Sequence, residues 1–72
     1  MNPDRALTEL RQLVETIDEL TALAHAEDDD VEAEKIYTEI GRKRTEAVDR
    51  FTELDEWLSG GGFLPYEWEK DL

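Results

Sequence analysis

The sequence predicts an all-α protein: an antiparallel two-helix hairpin with a C-terminal aromatic tail, paired into a four-helix bundle. Two long stretches carry apolar residues three and four positions apart, which is the spacing of one helix face. An acidic run separates the two stretches, and three consecutive glycines follow the second one. With 72 residues, the chain has room for one domain, covering residues 1–72.

The first helix is expected at about residues 3–26. Asn2 suits the N-cap, Pro3 suits the first helical position, and the negative charge of Asp4 complements the helix dipole. The apolar stripe of this helix consists of Ala6, Leu10, Leu13, Ile17, Leu20 and Ala24. Acidic residues occupy the opposite face, so one side is expected to be buried and the other to face water.

An acidic turn is expected at about residues 27–30, and a second helix at about residues 31–59. Asp29, followed three positions later by Glu32, resembles the capping box that marks a helix start. The glycines at positions 60–62 are expected to end this helix, because glycine adopts the left-handed C-cap conformation readily. Its predicted stripe consists of Ala33, Tyr37, Ile40, Ala47, Phe51, Leu54 and Leu58.

Folding the chain about Asp28 and Asp29 sets the predicted register between the stripes. The expected facing pairs are Ala24 with Ala33, Leu20 with Tyr37, Ile17 with Ile40, Leu10 with Ala47, and Ala6 with Phe51. Arg44 then falls in the seam, opposite Leu13. Either its aliphatic stem packs there while its guanidinium reaches a carboxylate, or it fixes the register at an oligomer interface.

The chain carries more apolar residues than one hairpin can bury. Leu7, Val14 and Leu23 flank the first stripe, and Ile36, Val48 and Trp57 flank the second. Two covers are possible: the C-terminal tail, or a second copy of the chain in a four-helix bundle. A homodimer is therefore one expected assembly.

The Gly-rich stop and tail, residues 60–72, are rich in aromatic side chains. Phe63, Leu64, Tyr66 and Trp68 lie within six positions, a load that disordered tails rarely carry. One interpretation is a structural clasp, with Phe63 and Leu64 folded back onto Trp57, Leu58 and the start of the first helix. The other is a binding site for a protein partner, because aromatic residues dominate interface hot spots. Its candidate residues are Trp57, Phe63, Tyr66 and Trp68.

The net charge of −12 is unevenly distributed along the chain. Residues 27–34 contain six acidic residues and no Lys or Arg, and so carry half of that net charge. The candidate acidic patch consists of Glu27, Asp28, Asp29, Asp30, Glu32 and Glu34. Such a surface repels nucleic acid and anionic membranes. It could instead occupy a basic groove of a nucleic-acid-binding protein, as a DNA mimic does.

No pattern in the sequence indicates catalysis, a cofactor or a metal. The acidic run lacks the glycine and the ligand spacing of a calcium loop, and the glycines follow a helix, whereas a phosphate-binding loop precedes one. Two thin helices offer no cleft for a small-molecule substrate. His25 is expected to be an exposed residue near the turn. The absence of cysteine excludes disulfides and fits the cytoplasm.

The segment Leu54–Pro65, with the sequence LDEWLSGGGFLP, resembles the C-termini of small acidic uncharacterised proteins of actinobacterial phages. Some proteins of that group bind and redirect host proteins. The resemblance implies a phage accessory protein in the cytoplasm of a bacterial host, and it identifies no site residues. The expected function is thus a non-enzymatic helical protein–protein interaction module, and the alternative is the acidic decoy.

Overall fold

The computed structural model describes residues 1–70; Asp71 and Leu72, the last two residues of the predicted tail, lie outside the described residues. Helix α1 spans Pro3–Ala26, α2 spans Asp30–Ser59 and α3 spans Tyr66–Glu69. The two long helices pack against each other as a hairpin measuring 48 × 21 × 14 Å. The predicted all-α hairpin is confirmed.

Both long helices begin with the predicted caps. The Asn2 side chain accepts a hydrogen bond from the Arg5 backbone N–H, with Pro3 in the first turn. The Asp29 carboxylate accepts from the backbone N–H groups of Val31 and Glu32, at 2.9 and 3.3 Å. These bonds satisfy donors that have no partner within a helix.

Only half of the predicted capping box forms at α2. The reciprocal bond comes from the turn, where the Glu27 carboxylate accepts the Asp29 backbone N–H at 3.0 Å. The Glu32 side chain pairs with Lys35 at 3.2 Å. Because Asp29 is the N-cap, α2 begins at Asp30, one residue before the predicted start at about residue 31.

The glycines end α2 in a Schellman motif. The Gly62 N–H donates to the Trp57 carbonyl at 2.8 Å, and the Gly61 N–H donates to the Leu58 carbonyl at 3.1 Å. Gly61 has φ +92°, a conformation that other residues adopt only with strain. The chain therefore turns back toward the helix that it has just left.

The core lies mostly at the end of the hairpin where the chain termini meet. Pro3, Ala6, Leu7, Leu54 and Pro65 are all buried there. Ile40 is buried at the middle of α2, and Ala24 near the turn. The remaining large residues of the α1 stripe, which are Leu10, Leu13, Ile17 and Leu20, are half-buried. The tail thus closes the best-packed part of the molecule.

The predicted seam of α2 is half right. Ile40 and Leu54 are buried, and Ala33 and Ala47 are half-buried, as predicted. Leu58 is half-buried as well, as predicted. Three predictions are wrong: Tyr37 and Phe51 are 51% and 59% exposed, and Arg44 is exposed. The half-buried positions beside the buried ones are instead Ile36, Lys43, Arg50 and Trp57. Compared with the predicted orientation, α2 is therefore rotated about its own axis by about half the angle that separates successive residues of a helix.

Two long basic side chains make this rotation possible. The Arg50 guanidinium pairs with Glu9 of α1 at 3.5 Å and with Glu53 at 3.4 Å. Lys43 lies within 4 Å of Glu39 and Glu46. Their aliphatic stems cover apolar surface while the charges remain in contact with water and carboxylates.

Candidate protein-interaction surfaces

The tail is attached to Trp57 at the end of α2. The indole Nε1 donates to the Phe63 carbonyl at 2.9 Å, and the two rings meet edge to face with centroids 5.3 Å apart. The indole also lies directly over Gly62, where a Cβ atom would collide with it. The start of the tail therefore packs on the Trp57 side chain.

A second attachment joins the tail to the start of α1. Pro65 is buried, and the next backbone N–H, that of Tyr66, donates to the Asp4 carboxylate at 2.6 Å. This bond links positions 62 residues apart. With the Trp57 contacts, it shows that the tail folds back onto both helices. The contact of Phe63 with Trp57 is the predicted one, whereas the hydrogen bond to the first helix is made by Tyr66, a residue that the clasp interpretation did not assign to it.

The short helix α3 carries its own ion pair. Lys70 lies 2.8 Å from Glu67, and this hydrogen bond and the positive charge of Lys70 hold the pKa of Glu67 below its ordinary value. The charge of Arg11, on α1, acts in the same direction more weakly. α3 was not predicted from the sequence, because four residues are too short for apolar periodicity to be visible.

The clasp holds the backbone of the tail and leaves most of its aromatic rings outside. Phe63 and Tyr66 are each 65% exposed, and Trp68 is 37% exposed. Of the four candidate partner-binding residues, Trp57 is already occupied by its hydrogen bond and ring contact with Phe63. Phe63, Tyr66 and Trp68 remain available to another molecule.

The acidic patch forms the opposite end of the hairpin. Glu27 and Asp29 hold the turn, and Glu32 pairs with Lys35. The other three members, Asp28, Asp30 and Glu34, are exposed and have no side-chain hydrogen bond or ion pair within residues 1–70. Three of the six carboxylates thus bind other groups of the protein, and the other three have no partner among the described residues.

Sequence reasoning missed a third surface. Tyr37, Val48 and Phe51 of α2 are 51%, 61% and 59% exposed. They lie on the side of α2 away from the Arg50–Glu9 pair, as helix geometry requires. The only sequence signal for this surface was the surplus of apolar residues, which did not say which of them would be left outside.

The described residues contain no arrangement typical of a metal site. Among residues 1–70, no three carboxylate or imidazole side chains come close enough to hold an ion together. No helix in this part of the chain is both long enough and apolar enough to cross a bilayer.

Comparisons with protein-family models, with curated proteins and with solved structures found no match for this chain.

Proposed function

We propose that this chain is a non-enzymatic helical protein–protein interaction module, which binds a protein partner through the exposed aromatic side chains of its tail. The setting we propose is that of a phage accessory protein acting on a host protein in the cytoplasm of a bacterium. The observation that carries the proposal is the combination of a fixed tail backbone with exposed Phe63, Tyr66 and Trp68 rings.

Pre-organisation supports this function. A flexible tail loses conformational entropy when it binds, whereas a tail already held by Trp57 and Asp4 loses little. Tyr and Trp contribute large contact areas with few rotatable bonds, and for this reason they dominate hot spots. The tail therefore combines the side chains and the rigidity of a binding surface.

The test is capture of host proteins on the immobilised chain, followed by affinity measurements with the purified captured protein. We expect Trp68→Ala and Tyr66→Ala each to weaken binding about tenfold or more, as truncation of a hot spot does. Tyr66→Ala keeps the hydrogen bond of the clasp, because the Asp4 carboxylate accepts from the Tyr66 backbone N–H and not from its ring. Unchanged affinity in both variants would overturn the proposal.

The acidic decoy is the second candidate, and the unpaired carboxylates of Asp28, Asp30 and Glu34 favour it. Its test is the triple variant Asp28→Asn, Asp30→Asn, Glu34→Gln, which leaves the Asp29 cap intact. A decoy predicts a large loss of affinity in this variant and steep weakening by salt. The tail-binding module predicts the opposite ranking, with the triple variant close to the native chain and Trp68→Ala impaired.

A further inference from the structure

Three exposed apolar side chains of α2, those of Tyr37, Val48 and Phe51, belong to one continuous row. Starting at Tyr37, the row advances alternately by four and three positions, which keeps it on one helix face. We call it the outer stripe; its members are Tyr37, Gly41, Arg44, Val48, Phe51, Asp55 and Leu58. All except Leu58 are exposed, and Leu58 is half-buried. The spacing is that of a helix–helix seam, but none of the helices within residues 1–70 covers it.

We propose that a second copy of the chain covers the outer stripe, with the two α2 helices packed antiparallel about a twofold axis that passes between Asp49 and Arg50. The inference rests on the proposed function, because it assigns the self-association surface of the same interaction module. It does not involve the tail aromatics.

Charge complementarity selects this register. In an antiparallel seam about that axis, Arg44 lies opposite Asp55 of the second copy, and Val48 lies opposite Phe51 of the second copy. Twofold symmetry forms each of these pairs twice. If one α2 helix slid along the other by one layer, Arg44 would lie opposite Val48 of the second copy and Tyr37 opposite Asp55. Neither Arg44 nor Asp55 would then face the opposite charge.

Arg44 is the one basic residue of α2 that makes no ion pair within the described part of the chain. Lys35, Arg42, Lys43 and Arg50 each lie within 4 Å of a carboxylate. Within residues 1–70, neither Arg44 nor Asp55 makes an ion pair, although both lie in the outer stripe. The dimer supplies each of them with the opposite charge.

The acidic turn favours the antiparallel orientation over the parallel one. A parallel pair would place two clusters of six carboxylates side by side, where their repulsion is barely screened. In the antiparallel pair, the turns lie about 20 residues on either side of the axis, or about 60 Å apart at 1.5 Å per residue. That distance far exceeds the screening length of about 8 Å at physiological salt.

The first test is the mass in solution over a range of concentrations, measured by sedimentation equilibrium. We expect a shift from 8.4 kDa to twice that mass. Arg44→Glu places like charges opposite each other and should weaken the dimer about tenfold or more. The double variant Arg44→Glu, Asp55→Arg restores the pair with reversed signs and should recover the native affinity.

Arg42→Glu is the matched control, because it makes the same charge change on the side of α2 away from the outer stripe. We expect it to leave dimerisation unchanged. A monomer at every concentration overturns the proposal, and so does a dimer that Arg44→Glu leaves intact or that the double variant fails to restore.

The register is tested by cross-linking, since the chain has no native cysteine. A mixture of Val48→Cys and Phe51→Cys chains should form the mixed disulfide in excess over either homodimer. Preferential cross-linking of Val48→Cys to Arg44→Cys chains would instead identify the slid register and overturn the assignment. Trp68→Ala should dimerise normally, so failure of the seam and failure of the tail-binding proposal give different results.

Discussion

Gly62 has no room for a side chain, because the Trp57 indole covers its α-carbon. We expect Gly62→Ala to displace the indole and destabilise the fold by about 1 to 3 kcal/mol, the usual cost of overpacking. Urea denaturation followed by tryptophan fluorescence measures the change. In the control Gly41→Ala, measured at a concentration at which the chain is monomeric, the new methyl group meets nothing within 4 Å, and helix propensity predicts a gain of up to about 1 kcal/mol. Equal stability of the two variants would contradict this account of the clasp.

The Trp57 N–H contributes a separate, smaller effect. Trp57→Phe keeps an aromatic ring beside Phe63 but removes the donor to its carbonyl. We expect a loss of about 1 kcal/mol, typical of one hydrogen bond, and faster proteolysis after the glycines. Limited proteolysis with mass spectrometry locates the cut. Cleavage within α1 before any cleavage in the tail would argue against this role for the indole.

Each long helix depends on a cap that its own sequence provides. Asp29 accepts two backbone N–H groups of α2, so Asp29→Ala should cost about 1 kcal/mol. Its neighbour Asp28 is exposed and makes no side-chain hydrogen bond within residues 1–70, so Asp28→Ala should change the free energy of unfolding by less than about 0.5 kcal/mol. Thermal denaturation at one protein concentration distinguishes the two variants.

The short helix α3 is expected to respond to acid. The Lys70 hydrogen bond and charge lower the pKa of Glu67, so this pair favours the folded tail above the ordinary glutamate pKa, and its contribution is lost as the pH falls through the lowered value. An NMR titration of the Glu67 carboxyl measures the shift. Lys70→Met should return the pKa toward its ordinary value, and Arg11→Met should raise it less, because the Arg11 charge is the smaller cause.

The whole molecule carries a net charge of −12, and self-repulsion of this charge opposes the compact state. Its ion pairs do not offset this repulsion, because they are exposed or half-exposed and individually weak. Added sodium chloride should therefore raise Tm, with about 1 kcal/mol of relief corresponding to about 4 to 8 °C. The variant Asp28→Asn, Glu34→Gln, which leaves the carboxylates in the first turn of α2 in place, should be more stable in low salt and should respond less to added salt.

Part of the candidate site was predictable because local chemistry encodes it. The aromatic tail, the acidic turn and the glycine stop all depend on neighbouring residues, and the sequence identified each of them. The Tyr66–Asp4 bond could not be predicted, because it joins positions 62 apart and involves a backbone N–H that every non-proline residue has. Tyr37 and Phe51 were predicted to be buried, because both are apolar and correctly spaced for a seam, but both are exposed.

The sequence by itself determined two amphipathic helices, their caps and their antiparallel arrangement, because spacing and capping are properties of short segments. Only the tertiary structure decided which flank of α2 faces α1. Ala33, Ile40, Ala47 and Leu54 belong to either choice. The predicted flank of Tyr37 and Phe51 and the observed flank of Ile36 and Arg50 lie at similar angles on either side of these four residues. The choice between the flanks therefore depends on contacts across the hairpin, such as that of Arg50 with Glu9. Those contacts form between distant segments, and helical periodicity does not encode them.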